Sequence, residues 1–341
     1  MEPAAERANP PARPGPGSPA PGPVVGDLLR LWQASSLHWR ASTRIAAASD
    51  IRAHLMPYWG HWQLEAIRRR DIQAWVAHLD YAPRTVDTIF GRFLAFLSWC
   101  VDEELLQKNP GHKIRLPPPN PREHVFLTVA QVRVLADSAG ERHAPLIWLL
   151  ASTGLRIGEA VELRGRDLQP ELRRLRVERS VVFVNGGPAV VGPPKNGQPR
   201  SVALTAQLMG LLLPLAAPHD PDRLLFTSAR GAQIRPNNFR RRSFTPAVLA
   251  VNAAARDAGP QAVRLPERLR VHDLRHTAAS WMVASGASVK VVQRMLGHAT
   301  AAITLDTYAG LFDHELDDVA RRLDRMLTDN PDGDANRKDA R

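Results

Sequence analysis

From Val24 onward the apolar residues recur at helical spacing. Behind Asp71, read as an N-cap, Ile72, Trp75, Val76 and Leu79 stand at i, i+3, i+4 and i+7. A longer helix follows, with Val86, Ile89, Phe90, Phe93, Leu97 and Val101 on one stripe. Further on, Thr128 and Gln131 form a capping box for a helix through Leu135, and a second helix is predicted over about 142–153. The period then shortens, and strands are expected near 173–178, 180–184, 189–192 and 200–204. Asn196-Gly197 predicts a type I′ hairpin turn between the last two strands, with Lys195 beside its tip. Thr205 caps a helix through Leu208, Leu211 and Leu212, and Arg235 to Arg242 opens another with a basic end. In Asp313 to Leu327, Leu316, Val319, Ala320, Leu323 and Leu327 share one helical face. The fold class expected is mainly α with a small antiparallel β-sheet.

These elements imply two folded lobes and three irregular stretches. Residues 1–23 hold eight prolines and almost no large apolar side chains, so they cannot offset the entropy of ordering and are expected to be disordered. A helical domain is assigned to 24–108 and a larger α+β domain to 125–328. Between them, 109–124 carries five prolines with Lys113, Arg115 and Arg122 and reads as an extended linker. Residues 329–341 are polar and expected to fray. Six of the eight tryptophans fall in the first lobe; Trp75 and Trp99 sit on apolar stripes and are assigned to its core. The run Arg68, Arg69, Arg70 is either a solvated face or a DNA-backbone contact, and Arg240, Arg241 and Arg242 carry the same pair of readings.

Charge narrows the partner. Lys plus Arg (45) exceed Asp plus Glu (34), giving a net charge of +11, and the excess is spread through the chain. That distribution favours a polyanion, nucleic acid first. The longest apolar stretches, Ala144 to Ala151 and Leu208 to Ala217, fall short of the roughly 18 residues of a membrane span, and no signal peptide precedes them. A soluble cytoplasmic protein is expected. Cys100 is the only cysteine, so no intramolecular disulfide can form; it falls on a predicted apolar face.

The candidate chemistry gathers between Val271 and Gly310. His272 and Arg275 stand three apart near a predicted helix N-terminus, a place that favours an anion. Gly297 and Thr300 read as a helix stop and a new N-cap, which brings His298 and Tyr308, one of three tyrosines, towards the same anion. Upstream, Arg156 follows a Gly154 stop, with Glu159 one turn on, and a second arginine makes a phosphate clamp. One rival is a zinc hydrolase, since His272-Asp-Leu-Arg-His276 superficially matches a His-x-x-x-His metal helix. It lacks the glutamate base and leaves Arg156, Lys195 and Tyr308 unexplained.

In residue type and order, Arg156, Lys195, His272-x-x-Arg275, His298 and Tyr308 resemble the tyrosine recombinase (phage integrase) family, strongly over 126–312 and more loosely over 24–110. The resemblance implies a helical, SAM-like core-binding domain followed by an α+β catalytic domain. It implies a site-specific recombinase that breaks and rejoins double-stranded DNA through a 3′-phosphotyrosyl intermediate, with no metal or other cofactor. Tyr308 would be the nucleophile, Arg156 and Arg275 the phosphate clamp, and Lys195 the acid for the departing 5′ oxygen. His272 would be the general base, His298 a phosphate contact, and Glu159 a support for Arg156. Partners implied are a homotetramer on two DNA sites, with the C-terminal helix exchanged between subunits, and accessory DNA-bending proteins. A type IB topoisomerase-like relaxing enzyme and a non-cleaving DNA-binding protein of the same fold are the alternatives.

Overall fold

The computed structural model describes residues 22–119, 124–183, 187–194, 198–312 and 315–329. Most of the arm, the turn at Asn196-Gly197, Lys195 and nearly all of the tail therefore lie outside the described residues. The chain divides into two compact units, Met1–Arg122 and Glu123–Arg341.

The first unit is helical, with its longest helices at Val25–Ser35, Ala41–Asp50, Arg69–Ala77 and Pro83–Asp102. Its core is aromatic. Trp59 stacks on Phe93 with centroids 4.8 Å apart, and Trp75 meets the same ring edge-on at 5.3 Å. Cys100 is buried here, and desolvation, then the Glu103 charge, pushes its thiol up to about 12. Asp71 is not an N-cap. The helix begins two residues earlier, and Asp71 at its third position accepts from Arg68 N at 2.9 Å, as the acidic member of a capping box does.

The segment expected as an extended linker is anchored from Asn109 to Leu116. Asn109 Nδ2 donates to Ser98 Oγ at 2.8 Å and to Leu94 O at 3.2 Å. Gln73 exchanges two 2.9 Å hydrogen bonds with the backbone of Arg115, and Ile114 and Leu116 pack on the first core. Proline spacing alone did not reveal this, because the attachment is made by side chains from elsewhere.

The second unit is organised around the helix Ala144–Thr153, whose sequence is apolar on all sides and which is correspondingly buried. Helices Val129–Ala139, Thr245–Asp257 and Asp273–Ala284 contribute to the same core. Thr128 caps the first of these as expected, its Oγ1 accepting from Gln131 N while Gln131 Oε1 accepts from Thr128 N.

Among the described residues five strands follow: β1 (Leu168–Gln169), β2 (Arg174–Val177), β3 (Ser180–Phe183), β4 (Ala189–Gly192) and β5 (Arg200–Ala203). They make two antiparallel sheets, β1-β2-β5 and β3-β4. The predicted β4-β5 hairpin is therefore wrong in its pairing, although both strands exist. Pro193, Pro194 and Pro199 flank the turn and remove ladder donors on both sides. β5 instead pairs with β2, which sets Val202 opposite Leu175 in the core.

Candidate active site

The central helix ends at Gly154, which adopts φ +67°, and the chain turns at once into the short helix Ile157–Ala160. A side chain at 154 would also collide with Leu296, so both conformation and space require glycine there. The turn delivers Arg156 to the helix N-terminus and its carbonyl at Gly154 to Arg275. Arg275 Nη1 donates to Gly154 O at 2.6 Å, Arg156 Nη2 donates to Gly297 O at 3.4 Å, and two guanidiniums are thereby fixed on backbone.

Glu159 completes the frame. Its fully buried carboxylate accepts from Arg156 N at 3.0 Å and Arg156 Nη1 at 3.1 Å, and from Arg200 at 3.1 and 2.6 Å. Burial pushes this carboxyl up, but the hydrogen bonds and charge of Arg200, then of Arg156, outweigh it and hold the group below the usual carboxylate range. Arg200 also donates from Nε to Met295 O at 3.1 Å. Arg200, at the start of β5, thus lies inside the arginine frame.

Arg275 is 3 % exposed, and its Nη2 has no hydrogen-bond partner. Desolvation, then the Arg156 charge, draws this guanidinium down to about 9. His272 stands just before the same helix, Asp273–Ala284, and desolvation with the Arg275 charge lowers it too. A protein donor that is buried, cationic and unsatisfied is what an anion-binding site needs.

Helix Val289–Leu296 stops at Gly297 (φ +67°), and His298 follows. His298 Nδ1 lies 2.8 Å from Thr304 Oγ1, and desolvation with the charges of Arg275, Arg156 and Arg200 brings the ring down to about 4. Tyr308, on helix Ala301–Phe312, is 2 % exposed and packs with Ala279, Val283, Val292 and Leu296. Its ring stacks on His298 at 6.4 Å with 10° between planes. Desolvation raises its phenol, and the Arg275 charge partly opposes that.

Arg156, Glu159, Arg275, His272, His298 and Tyr308 thus share one site, while Lys195 lies outside the described residues. Two histidines that were not assigned join them. His276 Nδ1 is 2.9 Å from the Tyr308 hydroxyl, and His124 sits with its ring 4.3 Å from that of His276. His276 was legible one turn after His272, at i+4; His124 carried no signal. The ring on the phenol is therefore His276, whereas His272 meets His276 edge-on at 5.2 Å. Arg68, Arg69 and Arg70 are exposed in the first unit, and Arg240, Arg241 and Arg242 are exposed on a π-helical turn in the second. Among the described residues no cluster of three or more His, Cys, Asp or Glu side chains is disposed to hold a metal ion, and no helix is long and apolar enough to cross a membrane.

The chain is 28 % identical over 333 residues to tyrosine recombinase XerC of Nitrobacter winogradskyi, covering 87 % of this chain and 93 % of that one. It is 24 % identical to the integrase of Mycobacterium phage D29, covering 89 % and 79 % respectively. Its fold resembles that of the Tn1549 transposon integrase bound to a circular intermediate DNA, with a TM-score of 0.72, 20 % identity, and coverage of 84 % of this chain and 95 % of that one. The family model described as the phage integrase family matches residues 126–315, more than half of the 341. The chain belongs to the phage integrase family of tyrosine recombinases.

Proposed function

We propose that this protein is a site-specific DNA recombinase in which Tyr308 attacks a DNA phosphate, leaving a 3′-phosphotyrosyl bond and a free 5′ hydroxyl. The observation that carries the reading is the Arg275 guanidinium, buried with Nη2 unpartnered beside a buried phenol. Arg156 and Arg275 are held in place before any DNA arrives, so they can stabilise the charge that grows on the non-bridging oxygens without reorganising. His298, deprotonated at neutral pH, and His272 at the helix N-terminus supply further hydrogen bonds to that phosphate. Glu159 fixes Arg156 and Arg200. Lys195 protonates the leaving 5′ oxygen, a role carried over from the family pattern.

The bond energy of the cleaved phosphodiester is kept in the phosphotyrosine, so a 5′ hydroxyl from another strand can reverse the step without ATP and without a metal. The first unit serves as the core-site binding domain, with Arg68, Arg69 and Arg70 on phosphates, and Arg240, Arg241 and Arg242 extend the contact in the second. Assembly is a tetramer on two DNA sites. The exposed Leu323, Met326 and Leu327 of helix Glu315–Asp329 form an apolar edge for a neighbouring subunit to cover.

The test is covalent trapping on element-end or genomic DNA fragments carrying a nick beside candidate sites. A protein–DNA adduct that Tyr308→Phe abolishes, with joint products between two sites, supports the reading. Relaxation of supercoiled DNA without joint products would point to a topoisomerase, and binding without any adduct to a non-cleaving protein.

A further inference from the structure

We infer that His276 is the proton acceptor for the nucleophile. The inference rests on the reading of Tyr308 as nucleophile and deepens it.

Four observations converge on this ring. The Tyr308 hydroxyl is 2.9 Å from His276 Nδ1, so the phenol donates to it when the imidazole carries its own proton on Nε2. Among the described residues no other side chain hydrogen-bonds that hydroxyl, and His272 touches His276 rather than the phenol. The tyrosine cannot easily swing away, because it is 2 % exposed, wedged among Ala279, Val283, Val292 and Leu296, and stacked on His298. His124 lies against His276 with ring centroids 4.3 Å apart, and its segment is pinned to the same helix: Leu127 N donates to Thr277 Oγ1 at 3.0 Å, and Trp281 Nε1 donates to Leu127 O at 3.0 Å.

The other groups around the phenol are poorly placed to accept its proton. His298 Nδ1 is engaged with Thr304, and its ring lies face to face with the phenol rather than in line with the hydroxyl. Arg275 is the cation whose charge favours the phenolate, but it has no proton-accepting atom. The titratable groups packed against His276 include His124 from the incoming segment, His272 from its own helix, and Tyr308 from the helix Ala301–Phe312, with His298 beyond that ring.

The Tyr308 oxygen forms its bond to phosphorus while its proton moves to His276 Nδ1. The bond from phosphorus to the 5′ oxygen breaks, and that oxygen takes a proton from Lys195. In religation the same imidazole returns the proton to the phenol, so the ring ends each exchange in its starting state.

Two measurements test this. In the free protein, 13Cζ-labelled tyrosine gives three resonances, assigned with Tyr→Phe variants. His276→Gln should shift the Tyr308 resonance and leave Tyr58 and Tyr81 in place; an unmoved Tyr308 resonance would overturn the contact. The second uses nicked duplexes carrying a cleavage site mapped with the wild-type protein, with oxygen or sulfur at the 5′ bridging position. Sulfur leaves without a proton, so it bypasses the acid but not the base. His276→Ala and His276→Gln should slow adduct formation by roughly 10²–10⁴-fold on both substrates and abolish the acid limb of the pH–rate profile. Lys195→Ala should be slow only on oxygen, and His272→Gln should keep the limb. Wild-type-like rates for His276→Gln, or slow cleavage with the limb retained, would overturn the assignment. Absence of any Tyr308 adduct with the wild-type protein would sink the underlying reading instead.

Discussion

Replacing Glu159 with glutamine removes the charge on which two arginines converge. The wild-type carboxylate is fully buried and accepts from Arg156 Nη1 and from two nitrogens of Arg200. Arg156 and Arg200 retain 24 % and 11 % side-chain exposure, so solvent screens them only in part. Removing one member of a buried ion pair costs about 3–5 kcal/mol. The amide keeps one acceptor and the arginines keep some water, which reduces the expected loss to about 2–3 kcal/mol. With a urea dependence of about 1–3 kcal/mol per molar, the unfolding midpoint of the second unit should fall by about 0.7–3 M. Urea unfolding read peptide by peptide through hydrogen exchange follows that unit separately from the first. The sign of the pH effect is fixed as well. The folded carboxyl titrates below its unfolded value, so its contribution is complete above about pH 4.3 and is lost as pH falls through the lower folded pKa. The gap between wild type and variant should therefore narrow only in strong acid. Equal midpoints at neutral pH, or a gap that ignores acid, would refute the proposition that this carboxylate holds the arginines.

Gly154→Ala should cost about 2–4 kcal/mol in the second unit, from a left-handed backbone and a Cβ driven into Leu296, and should slow cleavage by shifting the carbonyl on which Arg275 rests; wild-type urea midpoints would contradict this. Arg275→Lys keeps the charge but loses the bond to Gly154 O and the second donor, so single-turnover cleavage should fall about 10²–10³-fold while DNA retention on gels persists. His298 should titrate near pH 4 by NMR rather than near 6.5, and because the unfolded ring binds a proton first, stability should decline as pH falls between those values. Binding of a mapped half-site should weaken steeply with salt, and a flat response would contradict phosphate-dominated contact.

The site was legible to the extent that it lay in short-range order. Arg156 after a glycine stop, His272 and Arg275 on one turn, and Tyr308 beyond the Gly297 break are all local signals, and the structure brings these four together. The hairpin failed because pairing is a tertiary matter: β4 and β5 were each visible, but the prolines between them and the match of Val202 to Leu175 decided their partners. The contacts of Arg200 and His124 were invisible for a related reason. Their roles depend on Glu159 and His276, which approach them only after the second unit has folded. The same holds for the Asn109–Leu116 segment, where composition suggested an extended linker and the Gln73 clamp fixed it.

The most direct measurement is to digest the trapped protein–DNA complex with protease and nuclease and to locate the residual nucleotide by mass spectrometry. The account predicts a 3′-phosphonucleotide on Tyr308 and on no other residue. A nucleotide on Tyr58, Tyr81, a serine or a histidine, or cleaved DNA with no covalent protein at all, would contradict it.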